Sequence, residues 1–247
     1  MTILIPLLYI AAMWTANAEP KKVRVFVALC DNKTQGIVPV GEKIGNGDDA
    51  EANLYWGCSD GFGSLFKRSS QWTVVTPESD VSTTILRRLS LRHAKGDIEL
   101  TAEAYRGSQI KRCVSDFEAA ATGGKYHLVA FIGHNGLMDF QLEPPIPVRG
   151  HDTDVIVLCC LSEKYFGERL RKLHCKPILM TQQLMYPGAF LMEAALQRWR
   201  VGGSPADLRA AAAAAYARNQ KISVRAAIGV FAPPARGAQT GTSSRPE

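Results

Sequence analysis

Two stretches decide the fold: Tyr126–His134 (YHLVAFIGH) and Val155–Cys160 (VIVLCC). Each is an almost unbroken apolar run. That pattern predicts a strand covered on both faces, as in a parallel sheet, rather than the alternation of a half-solvated strand. The 19 residues from Asn135 to Thr153, with Pro144, Pro145 and Pro147, separate them. A parallel crossover needs about a dozen residues or more, so the length is sufficient.

The pattern continues on both sides. Pro177–Thr181 (PILMT) reads as a third buried strand and Val23–Leu29 (VRVFVAL) as an earlier one. Ile85–His93 and Asp97–Ala104 read as strands flanking an Ala94-Lys95-Gly96 turn, although Ile85–Leu91 also suits a short helix. Ile110, Cys113, Val114 and Phe117 fall on one helical face, and Gly123-Gly124 stops that helix. Ser162 is placed to cap a helix that turns Tyr165, Phe166, Leu170 and Leu173 inward. Another helix starts near Pro187, shows Phe190, Ala194, Leu196 and Trp199, and closes at Gly202-Gly203. Ser204-Pro205-Ala206-Asp207 carries an N-cap, a proline at the first helical position and an acid at the third, ahead of the helix-forming Ala210–Ala215. Ile222–Phe231 predicts a last strand. Strands alternating with helices imply an α/β sheet with helices on both faces, within one domain.

Composition narrows the class. Of 247 residues, 46% are hydrophobic and 21% charged, enough apolar material to exclude a disordered chain. The net charge is +6, and the basic residues are scattered rather than gathered into a stripe with aromatics, so a nucleic-acid partner is not expected. Ile3–Trp14 is mostly apolar and ends at Ala16-Asn17-Ala18, the small-x-small pattern of a signal-peptidase site. Residues 1–18 therefore read as a signal peptide, too short for a stable span, and the expected location is periplasmic or secreted. Residues 233–247 read as a disordered tail rich in Pro, Gly, Ser and Thr. Export permits disulfides, and Cys30 and Cys58 could pair. The Gly-, Asn- and Asp-rich stretch from Asp31 to about Lys67 lacks the alternating oxygen pattern of an EF-hand, and no metal or cofactor is expected.

The chemistry sits where the two deciding strands end. Ligands of open parallel sheets bind at the strands' carboxyl ends. One strand ends at His134, the other at Cys159-Cys160. If the strands are neighbours, imidazole and thiol share one edge and form the base and nucleophile of a thiol hydrolase. Cys160 is preferred over Cys159, because alternation turns the last residue of the strand out and its predecessor in. The helix after Cys160 would aim its positive end at the sulfur. Gly136 is the candidate for bringing a substrate carbonyl to backbone N–H donors. A cysteine closing an apolar strand is otherwise a small core residue. There is no G-x-S-x-G elbow for a serine hydrolase, and no Walker sequence.

VAFIGHNG at Val129–Gly136, DVIVLCCLSEKYF at Asp154–Phe166 and TQQLMYPGAFLMEAAL at Thr181–Leu196 resemble the caspase-like peptidases, which include caspases, metacaspases, clostripain, gingipains and separase. The resemblance implies a three-layer α-β-α sandwich with a mainly parallel central sheet over residues 19–232. It implies a cysteine peptidase acting on peptide or protein substrates, with Cys160 attacking the amide carbonyl and His134 protonating the leaving amine. It also implies a carboxylate near the end of the first strand to bind Arg or Lys, which offers Asp31, with Asp60 as the alternative. Asp31 with Asn32 equally suits a plain turn. Asn135 stands where the family usually has glycine directly after the histidine. The competing expectation is a non-catalytic binding or structural protein on the same scaffold, using Tyr55, Trp56 and Phe62.

Overall fold

Alternate residues of the first strand, β1 (Lys21–Ala28), part to opposite faces. Val23, Val25 and Val27 join one apolar cluster, and Phe26 and Ala28 join a second. That division organises the molecule, a computed structural model describing residues 19–146 and 152–234. The signal-peptide reading and almost all of the tail fall outside these residues. Among the described residues no helix is long and apolar enough to cross a membrane.

After β1 come a long loop, α1 (Phe62–Arg68) and the antiparallel strands β2 (Trp72–Ser79), β3 (Ile85–His93) and β4 (Ile98–Tyr105). Then follow α2 (Ile110–Thr122), β5 (Leu128–Gly133), β6 (Asp154–Leu158), α3 (Ser162–Lys172), β7 (Lys176–Leu179), α4 (Ala189–Arg200), α5 (Pro205–Gln220) and α6 (Val224–Ile228). The seven strands form one sheet in the order β2-β3-β4-β1-β5-β6-β7. β1 pairs in parallel with β4 and β5, β5 with β6, and β6 with β7. The protein is thus α/β, with a sheet parallel at its centre and an antiparallel meander on one side.

The first cluster packs Val25, Val27, Ala130 and Ile156 against Leu191 and Leu196 of α4 and Leu208 and Ala212 of α5. The second packs Phe26, Phe131 and Val157 against Cys113, Val114 and Phe117 of α2 and Phe166 and Leu170 of α3. Each fully buried Val, Leu, Ile or Phe side chain among them contributes about 1.5–3 kcal/mol relative to exposure, so the two clusters hold the sheet from both sides.

Three expectations are corrected. Ile222–Phe231 is not a strand: Ser223 caps the short α6 by accepting the Ala226 N–H, and only Phe231 makes a single bridge, to Thr181. Ser162 does not cap α3. Leu161 holds the cap position in a left-handed conformation (φ 53°), and Ser162 is the first helical residue, its hydroxyl donating to the Val157 carbonyl at 2.9 Å. Cys30 and Cys58 are free thiols, not a disulfide.

Candidate active site

Strand register brings the two reactive side chains to one rim. Ile132 pairs with Leu158, the last residue of β6. Two residues further along each chain stand His134 and Cys160. They leave the sheet in step, on adjacent strands, at the carboxyl ends. Both line a single cavity of about 390 Å³, together with Cys30, Tyr55, Met185 and the apolar residues of the loop after β1.

Backbone geometry fixes the histidine. Gly133 has φ +134°, and a side-chain carbon there would lie 2.3 Å from the Ala28 carbonyl oxygen, so only glycine fits this bend. Beyond His134 the chain turns through a 3-10 segment, Gly136–Met138, capped by the Asn135 side chain, which accepts the Leu137 N–H. That turn returns Asp139 to the imidazole, with His134 Nε2 and Asp139 Oδ2 2.6 Å apart. A carboxylate can only accept, so the proton is assigned to Nε2 and the lone pair to Nδ1. Asp139 also accepts the Gly36 N–H at 3.0 Å, tying the loop after β1 to the residue that holds the imidazole.

The cysteine end is held separately. β6 stops at Leu158, and Cys159 and Cys160 sit in the tight turn into α3. Cys159 is fully buried in the second cluster, and burial, with Cys160 nearby, pushes its thiol well up. Cys160 is half-buried and faces the cavity. Its sulfur lies 3.4 Å from the Met185 N–H, which donates to it, and 3.4 Å from the Met185 carbonyl, which accepts from the thiol. The Asn135 amide donates to the Cys160 carbonyl at 2.6 Å, linking the two strand ends directly. The first amides of α3 are not aimed at the sulfur: Ser162 N–H goes to the Thr181 hydroxyl and Glu163 N–H to the Thr181 carbonyl. The expected helix-end assistance is therefore taken up by Thr181.

The other sequence candidates stand elsewhere. Asp31 is off the cavity wall, and its carboxylate closes its own turn by accepting the Lys33 N–H and the Thr34 hydroxyl. Asp60 lines a different, larger cavity of about 670 Å³ beside α4 and α5 and accepts from Asn219. In that cavity the hydroxyl of Ser69 is bonded to Glu193, with no histidine on its wall. Gly136 is buried, packed against the Phe140 ring and Ile110, where a side-chain carbon would approach the ring to 2.7 Å. Its small size serves that packing. Trp56 and Phe62 point into the core, leaving Tyr55 on the cavity.

Two participants were missed by sequence reasoning. Asp139 follows the histidine by five residues, and the Asn135-Gly136 turn was the signal that could have found it. Cys30 also lines the cavity; burial, then the neighbouring Asp31 charge, push its thiol up to about 11. No described group of three or more His, Cys, Asp or Glu side chains is placed to hold a metal ion. Comparison with protein-family models, curated proteins and solved structures finds no match to this chain.

Proposed function

We propose that the protein is an exported cysteine hydrolase, an endopeptidase on a caspase-like, three-layer α-β-α scaffold, with Cys160 as nucleophile and His134 as base. One observation carries the reading: thiol and imidazole, coming from adjacent parallel strands, line the same cavity. The helices that pack against both faces of the parallel centre, and the motifs around His134 and Cys160, support the scaffold.

His134 Nδ1 takes the Cys160 proton, and the thiolate adds to the carbonyl carbon of a peptide bond. As the tetrahedral adduct collapses, the C–N bond breaks and His134 returns the proton to the leaving amine. A water molecule, deprotonated by the same nitrogen, then hydrolyses the thioester, releasing the carboxylate and restoring the thiol. Asp139 accepts from Nε2 and so fixes the imidazole tautomer and orientation.

The test is cleavage of a diverse peptide library, read as new termini by mass spectrometry. The protein is expected to cut, and the Cys160→Ala and His134→Ala variants are expected to lose cutting together. Unchanged cleavage by Cys160→Ala, or none by the unaltered protein, would overturn the proposal.

A further inference from the structure

The wall around the thiol and imidazole is apolar. Ile37, Val38 and Val40 from the loop after β1, Tyr55 from its return, and Leu184 and Met185 after β7 make up half of it. Among the described residues no Asp, Glu, Lys or Arg lines this cavity. The carboxylates offered for a basic substrate, Asp31 and Asp60, are respectively locked in a turn and placed on another cavity. Asp139 is spent on His134 and on the Gly36 amide. An ammonium or guanidinium entering here would lose water and meet no partner, whereas an apolar side chain loses nothing by leaving water.

Two features of the mouth point the same way. Val38 is 87% exposed and Leu184 68%, two large apolar side chains that line this cavity and reach solvent. The volume, about 390 Å³, lies near the low end of the roughly 300–1,000 Å³ of ligand pockets. It holds a side chain with its flanking backbone and not a folded segment.

We infer that this cavity receives one large apolar side chain of a peptide, of the Leu, Met or Phe kind, beside the bond presented to Cys160. The biological meaning of this specificity rests on the hydrolase reading, but the selectivity of the cavity does not. Val38 and Leu184 set the entrance, and Val40 and Tyr55 line the interior.

Disulfide exchange at Cys160 measures the selectivity without catalysis. The protein is equilibrated with small disulfides of equal length bearing isobutyl, benzyl, guanidinium or carboxylate ends, against rising 2-mercaptoethanol. Peptide mapping then reads the modified fraction at Cys160. The isobutyl and benzyl adducts are expected to survive at least about tenfold more reductant than the guanidinium adduct. Val38→Asp, at an exposed position outside the reacting pair, is expected to move the ranking toward the guanidinium reagent. His134→Ala is expected to keep the ranking, because the exchange equilibrium does not need the base. Equal or better retention of a charged reagent, or no adduct at Cys160, would overturn the inference. An intact apolar ranking in a protein that cuts no peptide would overturn the hydrolase reading and leave the cavity's selectivity standing.

Discussion

Asn135 joins the two halves of the site. It is fully buried, donating to the Cys160 carbonyl and accepting from the Leu137 amide. Truncation leaves both part-buried groups without their partner, and an unsatisfied buried polar group costs at most about 1–3 kcal/mol. Asn135→Ala is therefore expected to lower unfolding stability in urea by that order. It should also free Cys160 and His134 to drift apart, so peptide cleavage should fall further than stability does. A variant as stable as the parent would show that the link contributes little. The identity of this residue was visible in the sequence as a departure from glycine, but its role was not. The role depends on a carbonyl 25 positions away, brought near only by strand pairing. The same limit hid Asp139. Cys160 was preferred over Cys159 by strand alternation and by its place next to the turn; both cysteines lie past Leu158, the end of β6, in the turn itself, where Cys159 is buried and Cys160 half-buried.

Elements defined by local chemistry were readable, and elements defined by their neighbours were not. Ser204 and Asp207 form a reciprocal capping box at the start of α5, with Pro205 in the first turn. All of its atoms lie within four residues, so the sequence carries it whole. Ser204→Ala is expected to cost about 1 kcal/mol, and thermal melting would record it as a lower midpoint with activity kept. An unchanged midpoint would mean that α5 is held by packing alone. β2 is the opposite case. It is an edge strand whose Thr73–Thr76 positions are exposed, with Pro77 inside it and an irregularity between Val74 and Thr76. Without a buried face it has no alternating pattern to detect. α6 was misread because Ile222–Phe231 is apolar overall, while Ser223 and three small or flexible residues close a single helical turn. Ser162 looked like a cap because its type fits. Its hydroxyl instead bonds back to Val157 and forward to Thr181, fastening the turn that carries Cys160.

At the scale of the whole molecule, the parallel centre is what makes a site out of distant residues. The apolar runs and the crossover length announced two buried strands. Their adjacency, and the equal distance of His134 and Cys160 beyond the paired residues Ile132 and Leu158, are properties of the sheet. Composition marked the stretch from Asp31 to about Lys67 as Gly-, Asn- and Asp-rich, and α1 (Phe62–Arg68) occupies its end. In the folded protein the loop ahead of α1 is pinned by Asn53, which bonds both the N–H and the carbonyl of Cys30, and so becomes the cavity's outer wall. Short-range patterns gave no sign of that, because the anchoring pair is separated by 23 residues.

The central claim is that imidazole and thiol act as one unit, and the alkylation rate of Cys160 measures it directly. With iodoacetamide near neutral pH, Cys160 is expected to react about tenfold or more faster than Cys58, whose thiol burial and then Asp60 push up. Cys30, raised to about 11, should stay protonated and slow until the solution approaches that alkalinity. His134→Ala should remove the advantage of Cys160. Equal rates at Cys160 with and without the histidine would contradict the account.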